Sequence, residues 1–397
     1  MSGGTKGTVA IPSYAAPAEI VGLRKPAFIV GGIALILCAI GWVVNPTQFL
    51  QSYLIGFLLW CGVVLGSMAL VMLQFLTGGA WGIMIRRPLE AATRTMPLLA
   101  LFFLPILFGM RRLYAWSAPG RLTGHQAQYL NVNFFIIRAI IYFIVWGFLA
   151  FILDRWSLEQ DRNPGYSNTR RLQLLAGPAI IIYGFTMTFA SIDWVMSLAP
   201  GWYSSIFGML IVGGQGLGAL AFIIIIMLLL AHHEPMADLL QPRHFHDLGK
   251  LLLAFVMVWA YFAFSQLLII WAGNLTTEIP WYLHRLNTSW RMVGLFIVVF
   301  HFAVPFMLLL SRDLKRNAGG LAAVAIGLFA MRWVDLVWMT VPEFHHGGFQ
   351  ISWMDVMAPI ALGGIWLGVY FTELKRRPLL PIGESNLQNA LQHGDDE

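Results

Sequence analysis

Two aspartates stand in apolar segments of this chain, in matching local frames. Asp193 lies in Ile192-Asp193-Trp194-Val195-Met196-Ser197-Leu198-Ala199-Pro200, and Asp335 in Val334-Asp335-Leu336-Val337-Trp338-Met339-Thr340-Val341-Pro342. In each frame a valine follows two residues after the aspartate and a proline seven residues after it. An ionised carboxylate inside hydrocarbon costs several kcal/mol, so such residues usually mark a site or a pathway. Two readings of each stand side by side: a proton-relay group, or half of a charge pair that fixes helix packing. Arg332 precedes Asp335 by three residues, so the two share a helix face and are expected to pair, a structural role for Arg332. The first frame has Ala190 where the second has Arg332. Asp193 therefore needs a partner from another helix, and Arg138 is the candidate. If only one aspartate conducts protons, it is expected to be Asp193, whose counter-charge is not fixed three residues away.

Other polar residues extend the set. His301 and Tyr261 fall near the middle of their segments. Ser265, Gln266, Arg291 and Asp355 fall in the outer halves, and Asp355, close to a helix end, reads as a solvated interface residue. Pro305 follows His301 by four residues and cannot close the helical hydrogen bond on its carbonyl, so a kink is expected there. Glu90, Arg94 and Gln74 could form an inner half-channel handing protons towards His301 and the aspartates, since chains of Asp, Glu, His and Tyr with water carry protons across bilayers. A second hypothesis makes this a quinone-reacting chain, with His301, Tyr261 and Gln266 as the contacts.

Cofactor and metal sites are argued against. Of the ten histidines only His301 lies deep in a segment, and an intramembrane bis-histidine haem needs two. His232, His233, His244 and His246 share one loop but show no ligand spacing, and read as solvated. Cys38 and Cys61 sit in apolar runs and supply neither a disulfide framework nor an iron–sulfur ligand set. No phosphate-binding or dinucleotide-binding glycine motif is present.

The elements that hold these residues follow from composition. The 397 residues are 58% hydrophobic and 11% charged, against about 25% charged in ordinary globular domains. This is an all-α integral membrane protein by expectation, with no room for a large soluble domain. Apolar stretches long enough to span occur ten times, at roughly 26–44, 50–76, 95–110, 130–153, 172–198, 205–231, 249–272, 288–311, 318–341 and 352–373. The third has a polar lead-in, Arg86-Arg87-Pro88-Leu89-Glu90, read as an interfacial stretch. Residues 1–25 read as a cytoplasmic segment that is not a signal peptide, 26–374 as the membrane domain and 375–397 as a cytoplasmic tail. With these spans, 18 basic residues lie on the N-terminal side, 4 on the opposite side and 3 inside spans (Arg138, Arg291 and Arg332), which accounts for all 25. The excess places both termini in the cytoplasm. The net charge of +6 is therefore a topology and anionic-lipid signal rather than a nucleic-acid one.

The chain also repeats. Gly62-Val63-Val64-Leu65-Gly66-Ser67-Met68-Ala69 and Gly214-Gln215-Gly216-Leu217-Gly218-Ala219-Leu220-Ala221 both fit G-x-x-L-G-small-x-A. With the aspartate frames, this suggests two parallel four-helix bundles, helices 2–5 and 6–9, flanked by helices 1 and 10.

From about residue 130 onward the chain resembles a known family. The carrying runs are Ser191 to Leu198, Trp202-Tyr203-Ser204-Ser205-Ile206-Phe207-Gly208, Gly249-Lys250-Leu251-Leu252, Trp259-Ala260-Tyr261, Phe264 to Trp271, Gly273-Asn274-Leu275, Glu278-Ile279-Pro280-Trp281-Tyr282, His301-Phe302 and Leu310-Ser311-Arg312. They are similar to the F-type membrane component of alternative complex III, of the polysulfide-reductase-type family of ten-helix membrane subunits. The chain departs from that pattern at Asn287-Thr288-Ser289 and at Thr277. The resemblance implies two four-helix bundles with flanking helices, in a bacterial inner-membrane complex that oxidises quinol. Haem c and iron–sulfur clusters would belong to partner subunits: an iron–sulfur protein, c-type cytochromes and a same-fold subunit with the main quinol site. This chain would bind no redox centre and would contribute scaffold, a proton path and a second quinone-binding surface.

Overall fold

The computed structural model describes residues 14–384 other than 119, 123 and 346, together with 387 and 391. Residues 1–13 and most of the tail beyond 384 lie outside the described residues. The chain is an all-α, multi-pass integral membrane protein, with no strand among the described residues. Its principal helices are α1 (Arg24–Val44), α2 (Pro46–Thr77), α3 (Ala80–Thr93), α4 (Met96–Phe108), α5 (Val132–Arg162), α6 (Tyr166–Trp194), α7 (Phe207–Ala231), α8 (Pro242–Gly273), α9 (Pro280–Leu286), α10 (Trp290–Ile297), α11 (Val304–Leu310), α12 (Ala318–Phe344) and α13 (Trp353–Lys375), with a π-helical turn, Val298–Ala303, joining α10 to α11. Among the described residues nine helical stretches are long and apolar enough to span a membrane, and ten if α3 and α4, bent by 44° at their junction, are one broken span. The polar lead-in expected at an interface is thus a buried helix inside the bundle, residues 82–93 all being buried.

Burial orders the helices into layers. In the most apolar stretch of α2, 94% of residues are buried, against 22% for α1, α8 and the α10–α11 run. A helix apolar all round belongs in the core or in lipid, and this difference decides which. α2 and α7 form the centre. α3, α6, α12 and α13 pack around α2, while α6, α8 and α12 pack on α7. The rest turn broad apolar faces outward, as Ile36 of α1 and Phe151 of α5 do, and α6 does so on its outer side at Phe185.

Small residues permit the closest contacts. Gly31 of α1 lies against the backbone of Gly364 and Ile365 in α13. At the centre the two glycine motifs meet: a Cβ on Gly66 would strike the carbonyl of Gln215 and lie 2.7 Å from the Cβ of Ala219. Some helix starts carry side-chain caps. Asn45 accepts from Gln48 N at 3.1 Å ahead of Pro46, and Asn131 from Phe134 N at 2.9 Å. These caps satisfy amide groups that have no intrahelical partner.

Candidate functional site

The buried polar groups fall into several separate clusters. We call the side where α1 starts the near face and the opposite side the far face.

Asp193, fully buried, ends α6 towards the far face. Arg138 of α5 holds it by a two-pronged contact, Nε to Oδ2 at 2.8 Å and Nη2 to Oδ1 at 2.7 Å. Tyr142, one turn further along α5, donates its hydroxyl to Oδ2 at 2.8 Å. Arg138 also donates to the Tyr129 carbonyl at 3.0 Å, and its guanidinium lies over the rings of Tyr129 and Phe134 at 3.9 and 4.6 Å. The cation therefore has an aromatic cradle of its own beside the carboxylate.

Asp335 is bound by Arg332 of its own helix at 2.5 Å and by the indole N–H of Trp259 at 3.2 Å. The Arg332 guanidinium presses on Gly214 of α7, where any side chain would displace it. The neighbouring Gln215 accepts from the Tyr183 hydroxyl of α6 at 2.7 Å. His301 stands edge-on to the Trp259 ring, centroids 4.3 Å apart. It is fully buried, and neither ring nitrogen has a hydrogen-bond partner among the described residues. Ahead of Pro305, where a kink is expected, the helix has a π-turn, Val298–Ala303, that contains His301. A proline that cannot close the α-helical bond is one cause of such a break, and single π-turns recur at functional sites.

At the near face Glu90 accepts from Arg86 at 3.0 Å, Arg87 at 2.6 Å and Ser157 at 2.6 Å. Arg86 also reaches Gln160 at 2.7 Å and Glu384 at 3.0 Å, and Arg87 pairs with Asp161. Arg94 does not join this group. It binds Glu373 at 3.1 Å and Asp154 at 3.3 Å, and Asp154 also binds Arg377 at 2.6 Å. The expected half-channel of Glu90, Arg94 and Gln74 is thus two ion clusters, with the Gln74 side chain packed over Gly82 and its Oε1 unpartnered. Buried charge is tolerable when opposite charges and hydrogen bonds compensate it, which is why the Arg86–Arg87–Glu90 stretch can leave the interface.

Other expected contacts do not form. Tyr261 is 66% exposed on the outer face of α8, so it does not converge with His301. Gln266 is buried elsewhere, accepting from Ser204 at 3.2 Å and donating to Tyr282 at 3.3 Å. Asp355 is not solvated. It is buried, accepts from Ser52 at 2.6 Å, and caps α13 by accepting from Ser352 N at 2.8 Å. Arg291 is exposed. Among the described residues no group of three or more His, Cys, Asp or Glu could hold a metal ion. Tyr142 and Trp259 complete the aspartate sites, and the sequence carried a signal for one of them: Tyr142 is four residues from Arg138 and so shares its face.

The far face also contains a repair at a proline. Pro342 has no N–H for the carbonyl of Trp338. Arg285 supplies it, donating Nε to Trp338 O at 3.1 Å and Nη2 to Met339 O at 3.0 Å, with Glu343 at 2.8 Å as counter-ion. Burial pushes the Arg285 guanidinium down to about 10, against the upward pull of Glu343. The same repair recurs at Pro359, where the Trp333 indole donates to the freed Asp355 carbonyl at 3.1 Å.

No family model matches this chain, and no curated protein matches it.

Proposed function

We propose that this chain is a non-redox membrane subunit of a quinol-oxidising electron-transfer complex of the alternative complex III type, acting as scaffold and as part of a proton path. The observation that carries the proposal is the pair of buried, arginine-compensated carboxylates, one of them joined through Trp259 to an imidazole with no hydrogen-bond partner among the described residues. A carboxylate gripped by arginine takes up a proton only when the grip loosens. Arg138 can loosen, because the Tyr129 carbonyl and two aromatic rings hold it when Asp193 is protonated. In this reading Asp193 is the gate, Asp335 and His301, which both contact Trp259, form a second relay point that water must connect because an indole N–H only donates, and the cluster at Glu90 holds the near-face end together.

The redox work belongs to partners in this proposal: an iron–sulfur protein, c-type cytochromes with haem c, and a same-fold subunit with the main quinol site. The location is the bacterial inner membrane with both termini cytoplasmic, and the two aspartate frames derive from duplicated four-helix bundles. Direct quinol reaction at His301 is disfavoured by the outward placement of Tyr261. A stand-alone secondary transporter is the second reading, favoured by the 44° break between α3 and α4, since transporters use discontinuous helices at their sites.

Purification from the native membrane in mild detergent separates these. Haem-bearing partners should co-purify, and a lone chain with no such partner would sink the complex. Within an intact complex, Asp193→Asn should lower the protons released per electron. An unchanged stoichiometry with normal assembly would remove the proton path and leave the scaffold.

A further inference from the structure

The near-face ends of α5 and α6 carry arginines that the buried clusters do not use. Arg155, Arg170 and Arg171 line two adjoining grooves of about 530 and 420 Å³, and Trp156 and Arg171 border both. The Arg171 guanidinium lies 3.8 Å over the Trp156 ring and 3.5 Å from Glu159, with both charged side chains about half exposed. Among the described residues Arg155 and Arg170 make no ion pair. The charged lining is thus three arginines against one glutamate, a net charge of +2.

Depth along the helix matters. At 1.5 Å per residue the 31 residues of α5 span about 46 Å, roughly 16 Å more than the hydrocarbon core. Shared between both ends, that excess leaves about 8 Å of α5 in the headgroup zone at each face. Arg155 lies seven residues from the end of α5, or about 10 Å, and so at the hydrocarbon boundary. Arg170 and Arg171 lie four and five residues into α6, at similar depth. Phe148 lies two turns deeper than Arg155, among the acyl chains, and is 59% exposed; Leu174 of α6, bordering the other groove, is 67% exposed.

We infer that the paired grooves bind one anionic phospholipid with a two-phosphate headgroup, diphosphatidylglycerol. Guanidinium groups recognise phosphate by paired N–H donors. Basic pockets between membrane helices at this depth suit such headgroups, and an indole such as that of Trp156 is at home at headgroup level. One phosphate sits between Arg155 and Arg171, the other between Arg171 and Arg170. The acyl chains run down past Phe148 and Phe151 on one side and Leu174 on the other. Free phosphate lacks the chains that these apolar walls receive.

The test uses the full chain, with any partners that co-purify, in mild detergent. Lipids are extracted and quantified against those of the surrounding membrane. Diphosphatidylglycerol should be enriched several-fold over its bulk share, and absence of enrichment overturns the inference. In the triple variant Arg155→Gln, Arg170→Gln, Arg171→Gln the enrichment should fall several-fold, whereas Lys25→Gln on the same face should leave it unchanged; equal loss in both, or none in the triple variant, overturns it. Adding diphosphatidylglycerol to delipidated wild type should raise its melting temperature. Inorganic phosphate at equal phosphate concentration should not, and an equal response to both overturns the assignment to a lipid.

Discussion

Breaking the Asp193 pair from one side should cost far more than removing it whole. In Arg138→Met the carboxylate loses both guanidinium bonds and keeps the Tyr142 hydroxyl at 2.8 Å, in a fully buried position. Leaving a buried charge without its partner costs about 3–5 kcal/mol. Two unit charges about 4 Å apart at an effective dielectric of about 20 give roughly 4 kcal/mol, in agreement. Asp193→Leu should cost less, because the stranded cation retains the Tyr129 carbonyl and the rings at 3.9 and 4.6 Å, and each desolvated cation–π contact offsets up to about 2 kcal/mol. We expect about 1–3 kcal/mol for that variant. In the double variant Arg138→Met, Asp193→Leu no buried charge remains, and the cost should fall to about 1 kcal/mol or less. The unfolding constant of Arg138→Met should thus exceed that of the double variant by more than tenfold, at about 1.4 kcal/mol per decade. Reversible unfolding in mixed detergent–SDS micelles, followed by far-ultraviolet circular dichroism, measures all four corners of the cycle. A double variant as unstable as the two singles added together would show that the contact carries no coupling, and would refute both the compensation argument and the release of Arg138 on which the gate depends.

The same micelle assay tests the packing. Gly66→Ala, whose Cβ would meet the Gln215 backbone and Ala219, should destabilise by about 1–3 kcal/mol. Gly32→Ala, with nothing within 4 Å, should be neutral or gain about 0.5–1 kcal/mol; equal effects would contradict the α2–α7 contact. Arg285→Met should cost at least about 1–3 kcal/mol for the stranded Trp338 carbonyl. In a Pro342→Ala background, where the helix recovers its own N–H, that cost should shrink by about 1 kcal/mol; an undiminished cost would refute the repair. Maleimide should label neither Cys38 nor Cys61 in mild detergent, both being buried, and both after SDS. Rapid native labelling of Cys61 would contradict the central place of α2.

Much of this architecture is legible in one dimension, because a bilayer requires about 20 apolar residues per crossing. Hydropathy therefore locates the helices, and local helix geometry is enough to pair Arg332 with Asp335 three residues on. The absence of such a neighbour at Asp193 points to another helix, and Arg138 provides it across 55 residues. What only the tertiary structure decided is which face of each helix turns inward. The third span shows the limit: a hydropathy window averages Arg86, Arg87 and Glu90 into an interface, whereas Ser157, Asp161 and Glu384, the last 298 residues from Arg86, let them be buried. The burial of Asp355 escapes a local reading for the same reason, its partner Ser52 being 303 residues away. Trp259 and Tyr261 are the sharpest case. Two residues on a helix are about 200° apart, so only one of them can meet His301. Both are aromatic with a polar atom, and nothing in the local sequence chooses between them. The packing of α8 on α7 turns Trp259 in to bridge His301 and Asp335, and leaves Tyr261 facing out.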